Sequence, residues 1–139
     1  MNEHPVIDRE KLNAIRAELS THFPRILSYF AEDGVKSVAA IEDAVRTRDT
    51  VALVRPAHTL KGESLQFGAE ALGLAAEHIE KAARDGVEAH TFPADVTEIA
   101  TRLRPLFEEA LAALQHAAAP TIAQAPLGRR AAGFGRKVG

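Results

Sequence analysis

Four stretches of this chain repeat their apolar residues three and four positions apart, and only a few residues separate one stretch from the next. Such a repeat lines one side of an α-helix, and each stripe needs other helices to cover it. Phe23, Leu27, Phe30, Val38, Ile41 and Val45 mark a helix expected from about Thr21 to Arg48. Pro24 falls in its first turn, where proline is tolerated. Asp33-Gly34 is its weak point, yet the stripe resumes in phase at Val38, so one unbroken helix is expected. Leu53, Ala57, Leu60, Ser64 and Phe67 mark the next, capped by Asp49 and running to about Gln66. Pro56 should kink it, unless the helix proper begins there. Leu72, Ala76, Ile79 and Ala83 define a helix from Ala69 to Arg84, preceded by a corner at Gly68 and ended by Asp85-Gly86. Phe92, Val96, Ile99, Leu103, Leu106 and Ala110 define the last, which contains Pro105 and ends near His116.

Ahead of these, Leu12, Ile15 and Leu19 trace a short helix with Asp8 as its cap. Long helices joined by short connections fold back on one another. The expected fold is therefore all-α, an antiparallel up-down four-helix bundle with the short N-terminal helix as a lid. With 139 residues, of which 46% are apolar and 5% aromatic, the chain suits one helical domain and makes a sheet sandwich a poor fit. We expect a bundle domain over 1-116 and a flexible tail over 117-139, where Pro, Gly and Ala follow no period. Charge divides at the same place. The first part carries 13 basic and 19 acidic residues, the tail four basic and no acidic ones.

The absence of Cys removes disulfides, thiolate metal sites and cysteine nucleophiles. No run approaches the ~18 apolar residues of a membrane helix, and the N-terminus does not read as a signal peptide, so a cytoplasmic location is expected. No glycine-rich phosphate loop is present, which leaves ATP binding without residues to rest on. Chemistry must come from His, Ser, Lys or carboxylates.

At ~100° per residue His58 points away from the apolar stripe of its helix, into solvent. Gly62 lies one turn along, costs helix stability and puts no side chain over the ring. Lys61 lies about 60° away, able to set an ammonium beside an anion on the imidazole. Val51, Val54 and Leu65 fall within about 40° of His58 and suggest an apolar docking patch, bordered by Lys36 to Ala40 of the preceding helix. Glu63 should project sideways into solvent, and Ser64 faces the core. A lone histidine is most often just a surface residue, but that leaves Gly62 unexplained.

The stretch His58-Thr59-Leu60-Lys61-Gly62-Glu63-Ser64, with Phe67-Gly68-Ala69 and then Ile79-Glu80, resembles the histidine-containing phosphotransfer (HPt) domain of bacterial phosphorelays, whose signature reads His-x-Leu-Lys-Gly-x-Ser with Gly-Ala a few residues on. The resemblance covers about Leu19 to Leu114. It implies that His58 is the phosphoacceptor, Lys61 the phosphate-stabilising cation and Gly62 the residue that keeps the approach clear, with Val51, Val54, Leu65 and Ser64 as binding residues. Glu63 and Leu65 are larger than the side chains usual at their positions. The implied function is a phosphorelay intermediate that takes a phosphoryl group from a phospho-aspartyl receiver domain and passes it to another. It implies no kinase activity of its own.

Imidazole, with an ordinary pKa near ~6.5, is largely neutral at cytoplasmic pH and can attack phosphorus without a general base. One Lys cannot neutralise a transferring phosphoryl group, so Mg²⁺ and further cations are expected from the receiver domain and no cofactor from this chain. Expected partners are response-regulator receiver domains and the receiver domains of hybrid histidine kinases, met by a monomer, with no nucleic acid and no membrane. The direction of flux stays open, a phosphate sink included, and a helical adaptor without covalent chemistry is the competing reading. His22, His78, His90 and His116 are dispersed and do not suggest a metal. A meeting of His78 with His58 across adjacent helices is the one pairing of interest.

Overall fold

The computed structural model describes residues 5–118, which form five α-helices and one 3-10 turn. Helix α1 is Arg9–Leu19, α2 Phe23–Thr47, α3 Thr50–Gln66, α4 Glu70–Ala89 and α5 Val96–Ala118, with the 3-10 turn at Ser20–His22 between α1 and α2. Asp8 caps α1, its Oδ1 accepting from the amides of Glu10 and Lys11 at 3.0 and 3.2 Å. Asp49 caps α3 by accepting from the Ala52 amide at 3.2 Å. Each satisfies amides that the first turn leaves unpaired.

Helix α3 packs on α2 and α4, and α5 closes the ring against α4 and α2. The pairings fix direction. His58 meets Glu80 and Leu65 meets Gly73, so α3 and α4 run antiparallel. Arg104 makes two hydrogen bonds to Glu42 while Phe107 meets Gly34, so α2 and α5 do too. Leu27, Phe30, Val38, Ile41, Leu53, Leu60, Leu72, Ile79, Leu103 and Phe107 fill the core between them. Leu12 and Ile15 of α1 join it, and the Asp8 amide donates to the Gly68 carbonyl at 2.6 Å, tying α1 to the α3–α4 corner. Gly68 has a φ of 80°, the left-handed backbone that a corner there requires.

Helix α2 is unbroken through Gly34 because that glycine is where another helix comes close. A methyl group there would lie 2.6 Å from Cζ of Phe107. Pro56 and Pro105 sit inside α3 and α5 without ending either.

Three expected ends are corrected. Helix α4 does not stop at Asp85-Gly86 but continues to Ala89, with His90 as its left-handed cap. Gly86 serves close approach instead of termination, since a Cβ there would meet the Thr91 carbonyl at 2.7 Å and Pro93 Cδ at 3.0 Å. Phe92 is not the first stripe residue of α5, which begins at Val96. It precedes Pro93, which disfavours helical backbone before it, and its ring instead carries the Arg48 guanidinium 4.5 Å from its centre. Helix α5 also runs through Ala117 and Ala118, both packed on the core, two residues past the expected domain limit. The remainder of the expected tail lies outside the described residues.

Candidate functional site

His58 projects from the middle of α3, its side chain 61% exposed. The ring is nevertheless held. Its Nδ1 lies 2.9 Å from Oε2 of Glu80, which reaches across from α4. Glu80 is four residues after Ala76 and three before Ala83, both fully buried, so its helix turns it inward, and only 8% of its side chain is exposed. A carboxylate in that position needs compensating partners. Lys61 places Nζ 2.9 Å from Oε1, and Arg84, one turn along α4, donates from Nε and Nη2 to Oε2 at 3.0 and 2.8 Å.

Burial by itself raises the Glu80 pKa, but Lys61, Arg84 and His58 together outweigh it and bring the carboxyl down to about 2. Glu80 is thus ionised at any physiological pH. An ionised carboxylate only accepts hydrogen bonds, so the proton sits on Nδ1 of His58 and the lone pair on Nε2, the nitrogen on the far side of the ring. The tautomer follows from the partner.

Gly62 is exposed, and a Cβ built on it would meet nothing within 4 Å. Among the described residues no atom needs the position empty. Gly34, Gly73 and Gly86, by contrast, are each approached by a neighbouring side chain or backbone.

The other expected site residues divide. Val51 is exposed as expected, whereas Val54 is half-buried against the core. Leu65 is also half-buried, because the missing side chain of Gly73 on α4 leaves a notch that its isobutyl group fills. Ser64 is fully buried, as its angle implied, and as a binding residue it is corrected: its side chain is closed to any partner. Lys61 turns inward. Only 26% of its side chain is exposed, because the buried charge of Glu80 draws the ammonium inward. Glu63 is corrected as well. It is half-buried beside Asp33 of α2, and burial, then the Asp33 charge, push its carboxyl up to about 7. As pH rises from its ordinary 4.5 through about 7, Glu63 must ionise in that setting, so folding stability present in acid is lost over this window. On α2, Lys36, Ala39 and Ala40 are exposed, while Ser37 and Val38 are buried.

His78 does not meet His58. It pairs with Asp95 at 2.9 Å, and among the described residues no cluster of side chains is suited to a metal. Sequence reasoning gave Glu80 no role at the site and missed Arg84. The available signal was a carboxylate at core spacing between Ala76 and Ala83. Val87 was missed too. It is exposed on α4 and lines a groove with Val51, which widens the apolar surface on the side of α3 and α4 that carries His58.

Fold and site together define a helical bundle that displays an exposed imidazole, held by a buried carboxylate, on an open face. Comparison narrows this class. The profile of the Hpt domain matches residues 25–118, so the chain belongs to the Hpt domain family. Among solved structures it resembles histidine-containing phosphotransfer protein B (HptB) from Pseudomonas aeruginosa PAO1, with a TM-score of 0.72 and 21% sequence identity over 83% of this chain and 96% of that one. No curated protein matches the sequence. Among the described residues no helix is long and apolar enough to cross a membrane.

Proposed function

We propose that this chain is a phosphorelay intermediate that accepts a phosphoryl group on His58 from a phospho-aspartyl receiver domain and returns it to the aspartate of another. The observation that carries the reading is the His58–Glu80 contact of 2.9 Å on a half-exposed ring. Membership of the Hpt domain family and the likeness to HptB support it. The Nε2 lone pair attacks phosphorus in line, the N–P bond forms, and the bond from phosphorus to the acyl oxygen breaks as the partner's aspartate leaves as a carboxylate. No proton has to move. Nδ1 keeps its hydrogen on Glu80, so the product is a phosphoimidazolium, a good phosphoryl donor for the return step.

Lys61, three residues after His58 on the same helix, places its ammonium on the carboxylate that holds the ring, and we assign it to neutralising the new phosphoryl group. Transfer of this kind rests on alignment and on charge neutralisation. Mg²⁺ and the remaining cations come from the receiver domain, so this chain has no kinase activity by itself. Gly62, bare although nothing in its own fold fills the space, keeps the approach to the ring open for the partner.

Incubation with a panel of phosphorylated receiver domains tests this. The wild-type chain should take acid-labile, base-stable label, and His58→Gln should take none. Gly62→Gln should slow labelling about ten-fold or more while leaving the melting temperature unchanged or raised, since a mid-helix Gly costs about 1 kcal/mol. Label persisting in His58→Gln, or normal transfer by Gly62→Gln, would contradict the assignment of the corresponding residue.

A further inference from the structure

We propose that Glu63 and Asp33 form a proton-operated latch between α3 and α2, closed while the two carboxyls share a proton, and that the closed latch favours phosphoryl acceptance by His58. The inference rests on the function proposed above. Helix register sets the pair. Phe30 of α2 meets Phe67, at the end of α3, with ring centroids 5.3 Å apart. The two helices run antiparallel, so one turn onward along α2 and one turn back along α3 bring Asp33 opposite Glu63, within hydrogen-bonding reach. Both residues are half-buried, and Oε1 of Glu63 is fully buried without a hydrogen-bond partner among the described residues. Two ionised carboxylates have no proton to share and repel each other, so the contact requires one of them to be neutral.

No cation relieves the pair. Around Asp33 on α2, Tyr29, Glu32 and Lys36 are exposed, and Asp33 is the charge that acts on Glu63. Helix α4, the other element packed on α3, adds the acids Glu70 and Glu80. Glu80 is already held by Lys61, Arg84 and His58. Burial and Asp33 bring the Glu63 carboxyl to about 7, so the latch is closed below neutral pH and opens above it. Position couples this change to the site. Glu63 directly follows Gly62, and it lies five residues beyond His58, about 8 Å along the helix axis. A phosphoryl group on His58 adds negative charge at that range, through partly buried protein that screens it less than water does. It therefore favours the protonated pair, and by reciprocity the protonated pair favours the phosphoryl group.

The test compares wild type, Glu63→Gln and Asp33→Asn at about pH 6 and about pH 8, on either side of the Glu63 transition. All are labelled by the same phosphorylated receiver domain, so the donor's own pH dependence cancels in the ratio of variant to wild type. Glutamine keeps the closed form at both pH values, because its amide donates to Asp33 whatever the pH. Glu63→Gln should label at the wild-type rate at the lower pH and about three-fold faster at the higher one. Its melting temperature should exceed that of the wild type only at the higher pH. Asn at position 33 can both donate and accept, so in Asp33→Asn the ¹³C signal of the Glu63 carboxyl should titrate at lower pH than in the wild type. In the wild type that titration should move to higher pH once His58 is phosphorylated. A labelling ratio that is the same at both pH values would overturn the coupling. A melting difference that does not change with pH, or a Glu63 carboxyl that titrates in the ordinary carboxylate range, would overturn the latch. A wild-type chain that takes no label on His58 would overturn the function and the coupling with it, while the melting and ¹³C readings decide the latch by themselves.

Discussion

Replacing Glu80 with Leu is expected to slow phosphoryl acceptance by His58 about ten-fold or more, with the bundle still folded. Leucine removes the acceptor that holds the Nδ1 proton, so the ring is free to rotate and to populate the tautomer whose Nε2 is blocked by hydrogen. Lys61 and Arg84 lose their common anchor but can reach water, so the change leaves no buried charge behind. Glu80→Gln keeps an acceptor oxygen at the same place and should recover part of the rate. Histidine ¹⁵N spectra give the independent readout. They should show Nδ1–H in the wild type and a mixture in Glu80→Leu. The acid limb of the stability curve follows from the same contacts. The Glu80 carboxyl is brought from 4.5 to about 2 in the folded chain, so its stabilising contribution is present above pH 4.5 and is lost as pH falls through about 2. The stability difference between wild type and Glu80→Leu should shift in the same sense on acidification. Unchanged transfer in Glu80→Leu would remove the tautomer argument.

Gly34→Leu is expected to lower stability by about 3 kcal/mol, the upper range for overpacking a filled core, and the melting temperature by about 10 °C or more. The added side chain would enter the space of the Phe107 ring, which is itself fixed against Phe30 at a centroid distance of 5.7 Å. Phe30 in turn touches Phe67 at 5.3 Å, so a displaced ring would disturb α5, α2 and the corner after α3. Gly62→Ala provides the contrast within one molecule. It too replaces a mid-helix glycine, but into open space, and should raise stability by up to about 1 kcal/mol. Thermal or denaturant unfolding of the two variants decides it. A Gly34→Leu chain as stable as the wild type would mean that α2 and α5 do not meet as closely as described.

The contrast between those glycines shows what could be read from sequence and what could not. Apolar spacing located all four long helices, and the phase of the stripe across Gly34 was enough to keep α2 whole. The outward angle of His58 and the bareness of Gly62 likewise follow from one helix alone, because helical geometry is local. Gly86 and Phe92 were misread because a glycine near a helix end and an apolar residue in phase look the same whether or not a neighbour is present. Thr50, whose Cγ2 would lie 3.0 Å from a Cβ at Gly86, and Arg48 settle those two positions, and both contacts join different segments of the chain.

The inward turn of Lys61 has the same origin. It depends on Glu80, a residue on another helix, and therefore on the register between α3 and α4. Core spacing could have marked Glu80 as a buried carboxylate, but its partners were fixed only when that register placed it opposite His58. Glu63 was misplaced in a similar way, since Asp33 and the covering helix α2 decide whether its carboxyl sees solvent.

The most direct measurement is NMR of uniformly ¹⁵N-labelled protein after phosphorylation, which reports which nitrogen of which histidine bears phosphorus. The Glu80 contact predicts a single phosphorus-bearing nitrogen, Nε2 of His58, with Nδ1 still protonated. Phosphorus on Nδ1, on another residue, or nowhere in the chain would contradict the account.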